Sequence, residues 1–327
     1  MTPPLQELRK LLLFFGMRAV PTFTPNQLGI NIHYRNFTWY GLDEKKTLKE
    51  LLSLPFEHVR IPIPFNEVNP QKGVWDFSLR DQIIEQALKH HKTIHLQLGI
   101  KTIGYPEFNI PQWFCDVFPV LLKPKTYVQP DIFLQGYIEE YLNRCAQHFL
   151  PMKEIASIHI ENEAFSKRLP VSNFRSLSAD LTKQEVNVVK SHDPHHRPIV
   201  QNFPIDTPEA AWHAYNQSDI VGLNIYNQYF EHEFFKTMYW PAINTILGTL
   251  KMLKKRTWVT EFQIAPWIDS HKNPAYPFSE EKVFEGLQKL KTWNPEIIFL
   301  WDVEQVLWKA QQHNNQQNIQ LLYKFIQ

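Results

Sequence analysis

The chain has 327 residues, of which 43% are hydrophobic and 20% charged. That length is normal for an α/β barrel forming one domain, and the composition predicts a large buried core rather than disorder. The 34 basic and 33 acidic residues give a formal net charge of +1, which argues against nucleic acid or an anionic membrane as the main partner. The two cysteines, Cys115 and Cys145, form no CxxC pair and cannot build a disulfide framework.

Residues 1–27 are expected to form an N-terminal extension. Arg9 and Lys10 precede an apolar run, residues 11–17, that resembles a signal-peptide core, but Arg18 ends the run and no small-x-small cleavage site follows. The run is also too short to span a bilayer. We therefore predict a helix leading into the main domain, a cytoplasmic location and no intrinsic membrane span. Export or anchoring through residues 9–18 is the alternative.

From residue 28 onward, short apolar or β-branched runs alternate with longer amphipathic stretches. The predicted strands are Leu28–His33, His58–Ile63, Thr93–Leu98, Ile155–Ile160, Pro198–Asn202, Ile220–Tyr226, Thr257–Phe262 and Ile297–Trp301. The predicted helices are Leu42–Leu54, Phe77–His90, Asp131–Phe149 (capped by Asp131), Phe174–Lys190, Pro208–Asn216, Ala242–Lys254, Ser279–Leu290 and Gln317–Ile326. Eight alternations without a composition break predict one (β/α)8 barrel over residues 28–327, with long loops after strands three and six.

Acidic residues interrupt two of these strands where they end. Strand four runs into Glu161-Asn162-Glu163, and strand seven runs into Glu261. In such a barrel the carboxyl ends of the strands form one open face, so carboxylates from strands four and seven face each other across the axis. Glycoside hydrolysis needs a pair of this kind, one carboxylic acid and one carboxylate. The alternative is that each glutamate closes a structural salt bridge.

These residues carry a resemblance to the retaining glycoside hydrolases of clan A, which include cellulase-like and β-galactosidase-like barrels. That pattern places Asn-Glu at the end of strand four and a second Glu at the end of strand seven, where this chain has Asn162-Glu163 and Glu261. The run Asn69–Phe77 looks like a P-x-x-G-x-W-D-F turn found after strand two in several of these families. Further matches are Arg60 on strand two, Tyr226 at the end of strand six and Trp301 at the end of strand eight.

The resemblance implies a role for each member of the pair. Glu163 would be the acid/base, with its pKa raised by apolar surroundings and by the charge of Glu261. Glu261 would be the nucleophile, held in its charged form by Arg60 and by the hydroxyl of Tyr226.

The resemblance also implies contacts with the sugar. Asn162 would donate to the 2-hydroxyl of the reacting ring, and Trp301 would form the floor beneath it. Four loop tryptophans are candidates for further subsites, and about half of them are expected to pack the loops instead. These four are Trp39, Trp113, Trp240 and Trp267, of which Trp113 and Trp267 are taken as substrate-binding.

The chain departs from the family pattern at two places. Ala164 stands where the family often has Pro, and Asn224 where many relatives carry His, which puts the exact family and substrate in doubt. Glu161 is a rival for Glu163, because residues two apart on a strand share a face. We favour Glu163, which follows Asn162 nearer the mouth, and expect Glu161 to point into the barrel interior with His159.

No metal site and no cofactor are expected. Two groups of histidines could suggest a metal site: the pair at residues 90–91 and the three within residues 192–196. Both groups follow a helix and precede a strand, which places them at the face opposite the mouth. Glu304 is expected to be a solvated loop residue. The sequence thus predicts a retaining β-glycosidase acting on an oligo- or polysaccharide. The alternatives are a barrel that binds carbohydrate without cleaving it, a transglycosylase, or unrelated barrel chemistry such as an aldolase, for which Lys101 is the candidate lysine.

Overall fold

A closed barrel of eight parallel strands forms the centre of the molecule. The computed structural model describes residues 23–104, 107–166, 175–204, 207–228, 233–269 and 271–312. The barrel strands are β1 (Leu28–Asn31), β2 (His58–Pro62), β3 (Thr93–Leu98), β4 (Ile155–Ile160), β5 (Ile199–Pro204), β6 (Ile220–Ile225), β7 (Arg256–Gln263) and β8 (Ile298–Trp301). Each strand pairs with the next in the chain, and β8 pairs with β1. The predicted (β/α)8 fold is confirmed, and each predicted strand overlaps an observed one.

Helices surround this barrel in the part of the chain that the structure describes. They are α1 (Tyr34–Tyr40), α2 (Glu44–Ser53), α3 (Phe65–Val68), α4 (Ser78–Lys89), α5 (Gln112–Val117), α6 (Ile132–Phe149), α7 (Ala179–His192), α8 (Pro208–Gln217), α9 (Glu233–Met252), α10 (Glu280–Trp293) and α11 (Val303–Gln312). Capping side chains fix where several of them begin. Asp131 accepts from the N–H groups of Phe133 and Leu134, as predicted, and Ser178 accepts from that of Leu181.

The helices differ from the prediction in three ways. α9 begins at Glu233 rather than at Ala242, so that Pro241 lies inside it. The loop after β3 contains α5, a 3-10 helix at Pro119–Leu122 and a two-residue strand at Tyr127–Val128 that pairs with Ser176–Leu177. α1, α3 and α11 were not predicted from the sequence. Most of the predicted extension (residues 1–22), the start of the helix predicted from Phe174 and the predicted closing helix Gln317–Ile326 lie outside the described residues.

The amino-terminal half of the barrel interior is filled by rings and closed to solvent. His95 lies 5.3 Å from Trp258 and 5.2 Å from Phe299, measured between ring centroids. His58 Nδ1 lies 3.0 Å from His95 Nε2, and His95 Nδ1 lies 2.7 Å from Ser157 Oγ. The opposite end, toward the carboxyl ends of the strands, is where barrel enzymes bind ligands. Within the described ranges, no helix has both the length and the apolar content needed to cross a membrane.

Candidate active site

The chain leaves β4 through two residues with left-handed backbone. Glu161 has φ 62° and Glu163 has φ 46°, values that are uncommon for residues other than glycine. The two carboxyl groups therefore take different directions instead of sharing one face. The carboxylate of Glu161 accepts hydrogen bonds of 2.8 and 2.6 Å from the backbone N–H groups of Ile100 and Lys101. It interacts with Glu185 of α7, so the expectation that it points into the barrel beside His159 is wrong.

Glu163 is buried and held at both its backbone and its side chain. Its N–H donates to Asn202 Oδ1 (2.7 Å), and Asn224 Nδ2 donates to its Oε1 atom (2.7 Å). Burial raises the pKa of Glu163 well above its ordinary value, and the negative charges of Glu107 and Glu261 raise it further. The hydrogen bond from Asn224 opposes this shift without reversing it. These surroundings favour the protonated form of Glu163 over its carboxylate.

Glu261 lies on β7, directly opposite Asn224 of β6 in the sheet register. The hydroxyl of Tyr226 donates to Oε2 of Glu261, and Arg60 Nη1 lies 3.4 Å from Oε1. Both contacts stabilise negative charge on this carboxylate. The two glutamates thus differ in their surroundings: Glu163 faces carboxylates and an amide, whereas Glu261 faces a cation and a phenol.

A ring of buried polar side chains joins the carboxyl ends of the strands. Arg60 of β2 is fully buried and donates to Asn31 of β1 (3.3 Å) and to Asn162 after β4 (3.0 Å). Asn162 Oδ1 also accepts from Asn202 of β5 (2.9 Å). Burial lowers the pKa of Arg60 to about 10, against the opposing charge of Glu261, so the guanidinium remains charged at neutral pH. We call Asn31, Arg60, Asn162, Asn202, Asn224 and Glu261 the polar ring.

A cavity of about 530 Å³ opens above this ring, within the range of small-molecule sites. Asn162, Tyr226 and Glu261 line it together with aromatic rings. Tyr226 lies 5.6 Å from Trp301 and 5.4 Å from Trp267, measured between ring centroids, so the three rings form one continuous wall. Trp39 also lines this cavity.

Five of the predicted site residues line this cavity: Asn162, Tyr226, Glu261, Trp267 and Trp301. Arg60 lies beside it in contact with Glu261 and Asn162, and Glu163 lies close enough to Glu261 for that charge to raise its pKa. Trp113 is not among the residues that line this cavity. Its indole N–H donates to the Asn69 carbonyl (3.1 Å), and its ring packs against Phe65 and Tyr137. Trp240 likewise packs against Trp293 rather than lining the cavity. Aromatic type alone does not separate a subsite tryptophan from one that packs a loop.

Sequence reasoning missed Glu107, a third carboxyl group of the site. The loop after β3 folds back on itself through an antiparallel bridge between Lys101 and Phe108, which brings Glu107 to the cavity wall. Asn162 Nδ2 donates to its Oε1 atom (3.2 Å), and Lys101 Nζ lies 3.8 Å from Oε2. Burial raises the pKa of Glu107 to about 7, opposed by the charge of Lys101 and assisted by that of Glu261. No local pattern marks this residue.

Lys101 itself, the lysine considered for aldolase chemistry, is fully buried. Its ammonium group donates to the Glu163 carbonyl oxygen (2.8 Å) and pairs with Glu107. A Schiff-base lysine must present a free amine to its substrate, whereas this ammonium is held in a hydrogen bond and an ion pair.

One group of buried side chains has the donor set of a metal site. His33, Asp302 and Glu304 place one ligand atom each within 4.8 Å of one another. His33 Nδ1 lies 3.5 Å from Glu304 Oε2, and the carboxylate of Asp302 already accepts from Tyr40 and Gln305. Burial would lower the pKa of His33, but the charge of Glu304 raises it overall, which favours an ion pair. Glu304 is therefore fully buried and paired, and the expectation of a solvated residue is wrong.

The comparisons with known proteins agree with this architecture. No protein-family model and no curated protein matches the sequence. Among solved structures, the chain is similar to a β-galactosidase from the psychrophilic Marinomonas ef1, with TM-score 0.59 and 14% identity over 84% of this chain and 53% of that one. It is also similar to GH5_18 from Streptomyces cattleya in complex with GlcNAc (TM-score 0.59, 13% identity, 87% and 70% covered). A third is a GH10 endoxylanase from a sugarcane soil metagenome (TM-score 0.54, 14% identity, 84% and 85% covered).

These structural neighbours are clan A glycoside hydrolases, and at 13–14% identity the likeness establishes the fold. The chain spans about half the length of the β-galactosidase that it matches. The protein is thus a (β/α)8 barrel with the glycoside hydrolase fold, and its mouth carries two buried glutamates in contrasting surroundings.

Proposed function

We propose that this protein is a retaining β-glycoside hydrolase that cleaves an oligo- or polysaccharide by double displacement. The observation that carries the proposal is the contrast between the two glutamates at the ends of β4 and β7. Burial and negative neighbours raise the pKa of Glu163 and favour its protonated form, whereas Arg60 and Tyr226 stabilise charge on Glu261. A retaining glycosidase needs one carboxyl group of each kind over one cavity.

In the first step Glu163 donates its proton to the glycosidic oxygen while Glu261 attacks the anomeric carbon. The bond to the leaving group breaks, and a glycosyl ester forms with Glu261. Trp301 and Trp267 supply apolar surface along the sugar ring, and Asn162 faces its 2-hydroxyl. Arg60 holds Glu261 and Asn162 in a fixed relation, because it contacts both.

In the second step Glu163, now a carboxylate, takes a proton from water, and the oxygen of that water attacks the anomeric carbon. The ester bond to Glu261 breaks, and the sugar leaves with its original configuration. Asn224 hydrogen-bonds the charged form of Glu163 and so assists this step, in which the acid has become a base.

The test is hydrolysis of a panel of aryl β-glycosides, with the configuration of the first product followed by NMR. Glu261→Ala is expected to be inactive, and added azide is expected to restore release of the aryl group with formation of the α-glycosyl azide. Glu163→Ala is expected to form the β-glycosyl azide, because the glycosyl ester still forms from an activated substrate and azide then replaces water.

Glu281→Gln on the exposed face of α10 is the control, and its activity should equal that of the wild type. Wild-type activity in the Glu163→Ala, Glu261→Ala double variant would remove the assignment. Inversion of configuration would exclude double displacement. Binding of sugars without any turnover would favour a carbohydrate-binding barrel, and oligosaccharide products longer than the substrate would favour a transglycosylase.

A further inference from the structure

Large apolar side chains are exposed in one stretch of the connection between β3 and α6. Of the twelve that are exposed among the residues that the structure describes, six lie within residues 117–133. Ile132 and Phe133, in the first turn of α6, are 80% and 73% exposed, and the other four are half exposed. We call these six side chains the apolar patch: Val117, Val120, Leu122, Tyr127, Ile132 and Phe133. A concentration of this kind marks an interaction surface.

Aromatic packing holds the two parts of the apolar patch side by side. Tyr137 lies one turn after Phe133 on the same face of α6 and packs against Phe118, with 6.0 Å between the ring centroids. Phe118 stands between Val117 and Val120 in the chain. The exposed start of α6 is therefore a neighbour of the segment that carries the other members.

Contacts to the backbone fix the turn that carries Leu122. Thr126 Oγ1 lies 3.0 Å from the carbonyl oxygen of Val120 and 2.8 Å from that of Lys123. Arg175 donates to the carbonyl oxygens of Leu122 (3.1 Å) and Lys123 (3.3 Å). Polar groups thus hold this turn from within, while the Leu122 side chain is presented to solvent.

The apolar patch lies on the mouth side of the barrel. In a (β/α)8 barrel, the connection from a strand to the following helix runs over the carboxyl ends of the strands, and the helix begins there. The connection from β3 to α6 also brings Glu107 to the cavity wall. A partner that covers the patch therefore approaches the same end of the molecule as a substrate does.

Lysine side chains accompany the apolar patch. Lys123 and Lys125 are exposed and come directly after Leu122 in the turn. Lys72 is also exposed, and its ammonium group donates to the hydroxyl of Tyr137 (2.9 Å), next to the start of α6. Three cations thus stand close to the exposed apolar side chains.

Two acidic residues, Asp116 and Asp131, belong to the same stretch. Asp131 caps α6, so two backbone N–H groups already interact with its charge. With the guanidinium of Arg175 beneath the turn, four cationic groups stand against two carboxylates. The local charge is therefore positive, although the whole chain carries only +1.

This combination of side chains distinguishes between possible occupants. Lysine is depleted from interfaces between proteins, which argues against a second copy of the chain. A sugar polymer is bound by flat aromatic faces, whereas four of the six side chains in the patch are aliphatic. The surface of a bilayer suits both components, because apolar side chains enter the acyl boundary while lysines reach anionic headgroups.

We propose that the apolar patch docks on the surface of an anionic lipid bilayer. Its apolar side chains enter the boundary between headgroups and acyl chains, and Lys72, Lys123 and Lys125 contact the headgroups. The barrel then lies on the membrane with its mouth close to the headgroup layer. The proposal goes beyond the glycosidase function and is tested by binding alone.

The experiment measures partition of the full chain onto vesicles by co-sedimentation, with phosphatidylcholine alone or mixed with phosphatidylglycerol. The wild type is expected to bind the mixed vesicles. Ile132→Ser, Phe133→Ser should lower the partition coefficient at least about tenfold, because two apolar side chains no longer enter the bilayer. Met252→Ser, Leu253→Ser, an exposed apolar pair at the end of α9, is the matched control and should bind as the wild type does.

Lys123→Gln, Lys125→Gln tests the contribution of charge. This variant should bind mixed vesicles about tenfold more weakly than the wild type. High salt should weaken the binding of the wild type in the same way, because it screens exposed charges. All the substituted side chains are exposed, and an unchanged urea midpoint shows that each variant is folded.

A wild type that stays in solution with both kinds of vesicle overturns the proposal. Equal binding by the wild type and the Ile132→Ser, Phe133→Ser variant also overturns it, since another part of the chain would then carry the binding. Equal binding of the wild type to neutral and mixed vesicles excludes the anionic surface as the occupant. Dimerisation that is lost in the same variant, without binding to vesicles, would show that the patch joins two copies of the chain.

Discussion

Asn224 Nδ2 donates a hydrogen bond of 2.7 Å to Oε1 of Glu163. The hydroxyl of Thr260 donates to Asn224 Oδ1 (2.6 Å), which fixes the amide with its NH₂ group toward the glutamate. Asn224, which was noted in the sequence only as a departure from a family pattern, is therefore a direct partner of the proposed acid/base.

Removal of this partner should move the pH dependence of the reaction. The bond from Asn224 favours the carboxylate and holds the pKa of Glu163 down, so Asn224→Ala should raise that pKa. Because Glu163 must be protonated for the first step, the alkaline limb of the kcat/KM profile should move to higher pH. The control is Asn216→Ala on α8, whose amide bonds only the Trp212 carbonyl among the described contacts and which should leave the profile unchanged. A shift to lower pH would contradict the assignment of Glu163.

Tyr226→Phe tests the contact to Glu261. The substitution removes one hydrogen bond to a charged group and keeps the ring against Trp301 and Trp267. We expect kcat to fall about 10–100-fold with little change in KM. Tyr137→Phe, which removes a hydroxyl bonded to the exposed Lys72, is the control. A Tyr226→Phe protein with the wild-type kcat would show that the phenol does not act on Glu261.

Gly99 should be intolerant of any side chain. Its φ is 134°, and a Cβ atom there would lie 2.4 Å from the carboxyl carbon of Glu161. Gly99→Ala is expected to lower the free energy of unfolding by about 2–4 kcal/mol, from backbone strain and from displacement of Glu161 off its two backbone donors. Gly136→Ala on α6 has open space around it and should instead raise that free energy by about 0.5–1 kcal/mol. Urea denaturation followed by circular dichroism measures both, and equal stabilities would refute the close contact.

The carboxyl pair of Glu161 and Glu185 should make stability depend on pH. Burial raises the pKa of Glu161 to about 7, and burial together with the charge of Glu161 raises that of Glu185 well above its ordinary value. Both pKa values are higher in the folded state than in the unfolded chain. The pair's stabilising contribution to the free energy of unfolding is therefore fully present below the ordinary glutamate pKa. It declines as pH rises through about 7 and beyond.

Glu185→Gln replaces a group that needs a proton with an amide that donates at every pH. The variant should match the wild type near pH 5 and exceed its free energy of unfolding at pH 8 by about 1–3 kcal/mol. Glu281→Gln, on the surface of α10, should show the wild-type dependence. A variant that loses stability at pH 8 would mean that Glu185 does not carry the proton.

The barrel could be predicted from the sequence because the periodicity of strands and helices is a local property. Glu163 and Glu261 could be predicted as site residues because each is a charged residue at the end of an apolar strand. Asn202 could have been found by the same rule, since it closes the predicted fifth strand. Glu107 could not, because its place at the cavity depends on a hairpin that pairs Lys101 with Phe108. Glu161 was misplaced because its left-handed backbone breaks the two-residue alternation of a strand.

The polar ring draws its members from the ends of six strands, and each lies on or within two residues of its strand. The long segments that follow β3 and β6 contribute walls such as Glu107 but none of the ring. The polar ring is therefore part of the barrel's own closure, whereas the outer wall of the cavity belongs to the connecting segments. Exchange of those segments should change which ligands the cavity accepts and leave the polar ring in place for as long as the barrel stays closed.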